Sequence, residues 1–307
     1  MTSNMTPRRI LMVSQSRSER YTNALEAKIN ASDKLELDHY LYTPNHNDLS
    51  NDIDLFLVHS DRREILPIVV EAFYRNIPIV QLFAGAVGQG THDDLARHAI
   101  TRMASYMFCG SAVERSRLIR WGEDHKRCFV TGGLHMDNAD TILAQGKPVW
   151  SMQVYPYDLV LVNPETMEDN PSLAAVEAFN LLMKDKSQGV IFCEPNEDPN
   201  RKEIIDIFDT YRGNYPGIWT KFPGIWMKSD APRADFLYAL SHCRRFITNS
   251  SSAIYEAPYF TNVEVIMVGK RNRDRAKPDP FTGGSEKVVR LLEELPLTLK
   301  TSLKYCW

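Results

Sequence analysis

The chain has 307 residues, 43% of them hydrophobic and 24% charged, with a formal net charge of −3. That length exceeds one small core and suits two domains of about 150 residues each. A balance of 36 basic against 39 acidic residues excludes a global electrostatic pull toward nucleic acid or a membrane surface, and leaves open only a local basic cleft. The cysteines are five in number and form no CxxC pair. Cys109, Cys128 and Cys193 sit within apolar runs, so they read as buried thiols in a reducing compartment, and no metal site is expected. MTSNMTPRRI at the amino terminus has no signal-peptide core, and no run reaches transmembrane length. A soluble cytoplasmic protein without membrane partners is therefore expected.

Short apolar runs alternate with helix-period segments. In chain order the first half reads as strands at Arg9–Gln15, Leu35–Tyr42, Asp54–Asp61, IPIVQLFAG, YMFCGS and RCFVTG, with helices over Glu19–Ile29, Glu64–Tyr74, Asp93–Ser105 and Ala112–Trp121. The pattern restarts after Pro148. There the strands are DLVLVNP, GVIFCEP, GIWMKSD, RFITNSS and VEVIMVG. The helices cover Pro171–Lys184, Arg201–Tyr211, Arg233–Cys243, a short segment through Tyr255, and Ser285–Glu294. Strands alternating with helices of this length imply βαβ units and parallel sheets. Two Rossmann-like α/β domains are expected, 1–145 and 146–307, facing a cleft. Ligands of such sheets sit beyond the carboxyl ends of the strands.

Five strand-end loops carry chemistry-bearing residues: SQSRSER, HSDRRE, FAGAVGQGTHDD, NPETMED and TNSSSAIYEAP. Ser250, Ser251 and Ser252 follow a strand and lead into a helix, where hydroxyls and free N–H groups suit phosphate oxygens. Glu256 is placed to accept hydrogen bonds from a ribose diol. An N-cap cluster with nothing bound explains the same serines equally well. Arg271 and Arg275, four apart in GKRNRDRAK, could clamp a diphosphate or form a solvated loop. Asp93 and Arg97 are spaced for pairing on a helix, with His98 beside them, and Thr91-x-x-Asp94 is a capping-box pattern. Asp61 and Arg62 end a strand, where an acidic residue leans functional.

The blocks GTHDDLARHAITRMASYMFCGSAVERSRLIRWGEDHKRCFVTGG, FITNSSSAIYEAPYF and VGKRNRDR together resemble the hydrolysing UDP-N-acetylglucosamine 2-epimerases, in particular their sialic-acid-pathway branch. The resemblance spans most of the chain and is strongest over residues 76–138 and 245–275. It implies the GT-B fold. It also implies roles position by position: Arg17 in the first strand loop, Asp61 and Arg62 in a motif whose glycine is here Ser60, and Asp93 as an active-site carboxylate. Arg97 and His98 fall in the same RHAIT motif, at the sugar. Asn196 and Asp198 match a signature near the nucleotide. Ser250, Ser251 and Glu256 match contacts to the UDP diphosphate and ribose, and Arg271 and Arg275 match the arginines of the following loop. The family is often dimeric, which makes a homodimer an expectation. No cofactor is implied beyond the UDP-sugar itself.

The chain departs from the family pattern at two chemical positions. Ala86 stands where the family has a glutamate, and Asn163 where it has a histidine. The stretch between LYTP and DLFLVHSD is also shorter. Family chemistry removes the proton at C2, expels UDP, and adds water to the resulting glycal. A methyl and a carboxamide transfer no protons near neutral pH, and each lost acid–base group typically costs about 10²–10⁴-fold in rate. The leading expectation is therefore a glycosyltransferase on this scaffold, using Asp93 or Asp61 as base. It would pass a sugar from a UDP-linked donor to a glycan, a metabolite or a modified DNA base, with Asn163 on the sugar side. The alternatives are a divergent 2-epimerase and a non-catalytic nucleotide-sugar-binding protein.

Overall fold

The computed structural model describes residues 6–14, 22–41, 49, 52–59, 63–147, 156–184, 189–214 and 225–301. In chain order the strands are β1 (Arg8–Ser14), β2 (Leu35–Leu41), β3 (Leu55–Val58), β4 (Ile79–Leu82), β5 (Tyr106–Cys109), β6 (Cys128–Val130), β7 (Tyr157–Leu161), β8 (Gly189–Cys193), β9 (Ile225–Met227), β10 (Arg245–Thr248) and β11 (Glu264–Met267). The helices are α1 (Asn23–Asn30), α2 (Leu66–Tyr74), α3 (His92–Met103), α4 (Ala112–Arg120), α5 (Ala139–Leu143), α6 (Leu173–Lys184), α7 (Arg201–Asn214), α8 (Arg233–His242), α9 (Ser252–Tyr255) and α10 (Gly284–Glu294). Among the described residues, no helix is long and apolar enough to cross a membrane.

The chain divides into two compact units: residues 1–87, 92–137 and 276–307 form the first, and 88–91 and 138–275 the second. The first holds a six-stranded sheet in the order β2-β1-β3-β4-β5-β6, parallel throughout. Its strands read as near-continuous apolar runs because both faces are covered. Leu11, Val13, Phe56, Val58 and Met107 point to the face packed by Ile68, Val69, Ile100 and Leu118 of α2, α3 and α4. Their neighbours Ile10, Met12, Leu55, Leu57 and Phe108 point to the other, packed by Leu25 and Ile29 of α1 and by Val288 and Leu292 of α10. This is the two-residue alternation of a strand. A capping box starts α4: Ser111 Oγ accepts from the Glu114 N–H, while the Glu114 carboxylate accepts from the Ser111 N–H.

The second unit holds a five-stranded sheet in the order β11-β10-β7-β8-β9, also parallel. Val160, Val190, Phe192 and Ile247 pack beneath Ala175, Ala178, Phe179 and Leu182 of α6 and Ile204 and Phe208 of α7. On β10, Phe246 meets Phe236 of α8 edge-on, at 6.4 Å between ring centres. At the amino edge, fully buried Asp158 is paired with Arg244 and Arg245.

The units differ from the expected 1–145 and 146–307. Residues 138–145 join the second unit, and 276–307 return to the first. The return follows from α10: Val288 and Leu292, four apart, form an apolar stripe that completes the sheet face beside α1. The buried Asp137 fixes its start, its two carboxylate oxygens accepting the N–H groups of Gly283 at 2.6 Å and Ser285 at 2.7 Å. At the far end Arg8 donates to the carbonyls of Leu292 and Leu295. A helix distant in sequence thus supplies half of one face.

Candidate functional site

In the second sheet the strand order reverses between β7 and β10, since β8 and β9 lie to one side and β11 to the other. Such a reversal is where open α/β sheets bind ligands. Asn163 follows β7 and Asn249 follows β10, and both are buried. The N–H of Asn163 donates to Asn249 Oδ1 at 2.8 Å, and Asn249 Nδ2 donates back to the Asn163 carbonyl at 2.8 Å. Asn163 Oδ1 accepts the N–H of Asn196, beyond β8, at 2.9 Å. The carboxamide of Asn163 is thus engaged within its own unit, while the Asn196 residue is exposed.

Ser250 is buried, and Ser251 and Ser252 are half-exposed. Ser250 Oγ accepts the Ser252 N–H and donates to Ser252 Oγ, both at 3.3 Å. Glu256 is buried and paired with Arg233 of α8 at 2.6 Å. Arg271 Nη1 donates to the Pro164 carbonyl at 2.8 Å and to buried Asp198 at 3.0 Å. Arg275 lies over the ring of Tyr255, 5.7 Å from its centre. Serines, Asn196, Asp198, Glu256 and both arginines therefore all belong to one unit, in the segments that follow its strands.

Sequence reasoning missed Glu165, the acid of the NPET stretch. It is buried, and its Oε1 accepts the N–H groups of Lys270 at 2.5 Å and Arg271 at 2.8 Å. Gly269 is held at φ +61°, where a Cβ would collide with that carboxylate. The stretch Gly88–Thr91 belongs to the same unit, with the Gln89 N–H donating to the Arg271 carbonyl at 2.9 Å. An acid two residues after the strand-end asparagine was the available signal.

In the first unit, Ala86 closes the loop after β4 and is 1% exposed. Phe83 in that loop holds φ of 54°, a left-handed conformation that is strained for a bulky residue. Gly85 sits at φ +80°, its missing Cβ leaving room for the Glu114 carbonyl. From α3, buried Arg97 donates to the Ala86 carbonyl at 3.1 Å and to Asp94 at 2.9 Å. On this helix Arg97 thus pairs with Asp94, three residues before it. His98 Nε2 stands 3.6 Å from Asp94, and its ring meets Trp121 edge-on at 4.6 Å. Asp93 is half-exposed on the first turn. Two arginines of α4 are bonded within this unit: Arg115 donates to the carbonyls of Cys128 and His125, and Arg117 to that of Gly85. Arg17, Asp61 and Arg62 lie outside the described residues. Cys109, Cys128, Cys193 and Cys243 are free, buried thiols, and burial pushes Cys128 and Cys243 up to about 12.

Two parallel α/β sheets with loops of this kind at their carboxyl edges define a GT-B protein. The family model described as UDP-N-acetylglucosamine 2-epimerase matches residues 49–298, and the chain belongs to that family. Among curated relatives, it is 28% identical over 233 residues to UDP-N,N'-diacetylbacillosamine 2-epimerase (hydrolyzing) of Legionella pneumophila, covering 74% of this chain and 59% of the relative. It is 25% identical over 233 residues to UDP-N-acetylglucosamine 2-epimerase of Neisseria meningitidis, again covering 74% and 59%. The chain thus spans about three fifths of the length of the curated relatives it matches. Among solved structures, the fold is similar to that of UDP-GlcNAc 2-epimerase from Neisseria meningitidis bound to UDP-GlcNAc, with a TM-score of 0.73 and 15% identity over 92% of this chain and 99% of that one. It is similar as well to the enzyme from Methanocaldococcus jannaschii in complex with UDP-GlcNAc and UDP, with a TM-score of 0.67 and 14% identity over 96% and 95%.

These matches overturn the expectation of a glycosyltransferase. The matching family model and both curated relatives named above are epimerases. The expectation weighed two side chains above the scaffold. Ala86 contributes its carbonyl, which any residue would supply, to Arg97. The loop therefore keeps its anchor without a carboxylate at that position.

Proposed function

We propose that this chain binds a UDP-linked 2-acetamido sugar and acts on it as a 2-epimerase of the hydrolysing type. The C2–H and C1–O(UDP) bonds break, a C1=C2 bond forms, and water then adds its hydroxyl to C1 and a proton to the opposite face of C2. Asp93 takes the C2 proton. Arg97 and His98 orient the sugar from the same helix, and the loops bearing Asn196, Ser250, Ser251, Ser252, Arg271 and Arg275 take the UDP. The observation that carries this reading is the helix α3 cluster, in which buried Arg97 ties Asp94 to the Ala86 loop and leaves Asp93 half-exposed one residue away. Turnover of UDP-N-acetylglucosamine in D₂O tests it: one deuterium at C2 is expected for each UDP released.

A second reading, a nucleotide-sugar-binding protein without turnover, draws on the methyl at Ala86 and the engaged carboxamide of Asn163. It predicts UDP binding by calorimetry, with neither UDP release nor deuterium uptake from UDP-linked 2-acetamido sugars. Either of those signals would sink it.

A further inference from the structure

Four neighbouring strands of the second sheet, β11, β10, β7 and β8, each lead into a loop bearing an asparagine. The four residues are hydrogen-bonded to one another in the same order as the strands. Asn272 Nδ2 donates to the Asn249 carbonyl at 2.6 Å. Asn249 exchanges two bonds with the backbone of Asn163, and Asn163 Oδ1 accepts the Asn196 N–H. Asn163, Asn249 and Asn272 are buried. The chain crosses the β7/β10 reversal, where the two loops diverge to opposite sides of the sheet and no regular ladder continues.

Burying three carboxamides is costly unless each is bonded, and apolar residues would fill the same space more cheaply. What carboxamides add is direction: each carries both donors and an acceptor, and so can bridge one loop backbone to the next. They also carry no proton that titrates near neutral pH, so the bridges persist where an imidazole would change state. Thr248 reinforces the reversal from below, donating to the Leu161 carbonyl at 2.5 Å and accepting the Ser250 N–H at 2.9 Å.

We propose that Asn163, Asn249 and Asn272 are positioning residues: a carboxamide latch that sets the four nucleotide-bearing loops in mutual register for UDP. This rests on the reading that the second unit binds UDP. Asn163 therefore acts on nucleotide affinity through the Asn196 loop and not on the reacting carbons. UDP is held before and during its departure, so loosening its loops removes ground-state and transition-state binding alike.

The test combines calorimetry with UDP and steady-state turnover of UDP-N-acetylglucosamine, using Asn163→Leu, Asn249→Leu and the double variant. Each single variant loses a loop-to-loop bond, buried for Asn249 and partly buried for Asn163, and the expected result is a rise in both UDP Kd and KM of about tenfold, with kcat within about threefold of wild type. Because the residues act as one chain, the double variant should bind UDP no more than about threefold worse than Asn249→Leu alone. Asn272→Ala removes only the outermost link and gives a smaller loss in the same direction, which keeps the test open if the inner variants do not fold. UDP affinity in every folded variant within threefold of wild type overturns the latch. A fall in kcat at unchanged KM for Asn163→Leu overturns it too, placing that residue at the reacting atoms. Wild-type protein that binds UDP without turning over any sugar sinks the epimerase reading while the Kd series still decides the latch; wild type that binds no UDP sinks both.

Discussion

At the carboxyl edge of the second sheet, loops are tied to one another by carboxamides and by Glu165, one oxygen of which takes two backbone N–H groups. At the corresponding edge of the first sheet, the loop after β4 is held from a helix instead, by Arg97 reaching the Ala86 carbonyl. The first arrangement fixes several backbones relative to each other and offers little that titrates. The second spends one guanidinium on the backbone and on Asp94, with His98 one turn beyond Asp94 and Asp93 beside it on the same helix. On the proposed reading the difference is one of labour: loops that would hold a leaving group need register, and a group that would move a proton needs exposure and a shared neighbourhood of charge.

Replacing Asp93 by Asn gives the largest expected effect. Turnover should fall about 10²–10⁴-fold while UDP affinity stays within twofold; a matching loss of UDP affinity would erase the division between the units. Glu165→Leu strikes the opposite side. Two partly buried N–H groups lose their acceptor, at a cost of roughly 1–3 kcal/mol, seen as a Tm lower by roughly 3–10 °C with UDP binding weakened in parallel. An unchanged melt would mean that the Lys270–Arg271 backbone finds other partners.

Smaller effects sharpen the boundary between the units. Asp137→Ala uncaps α10, for about 1–2 kcal/mol, and should destabilise the first unit without altering UDP affinity. The smallest effect is a pH dependence. Burial of Glu194 works against ionisation, but the Lys228 ammonium, the Ser229 N–H and Arg201 outweigh it and hold its carboxyl below the usual 4.5. A lowered pKa in the folded state stabilises above the unfolded value and is lost as pH falls through the folded one. The Tm advantage of wild type over Glu194→Gln should therefore be constant above pH 4.5 and shrink below it. An advantage that grows on acidification would reverse the assignment.

Much of this architecture is legible in the chain as written. Runs such as RILMV and LFLV can be little other than strands covered on both faces, and the helices between them show their stripes. The serines after β10 and the arginines after β11 advertise strand-end loops. Asn163 and Ala86 carried too much weight in the expectation of a glycosyltransferase, which the epimerase family match overturns; in the fold one is a bridge between backbones and the other contributes a carbonyl. Side-chain identity reports what a group can do; it does not report which backbone it touches.

Local pattern along the chain suffices for two α/β halves with parallel sheets and loops rich in phosphate- and sugar-binding residue types, since periodicity encodes elements and their covered faces. The folded chain adds that residues 276–307 belong with the first sheet, that Arg97 holds the Ala86 carbonyl, and that Asn272, Asn249, Asn163 and Asn196 follow the order of their strands. Those outcomes depend on contacts between residues up to some hundreds of positions apart, and no local pattern carries them. They arise only when the sheets are ordered and the buried polar groups must find partners.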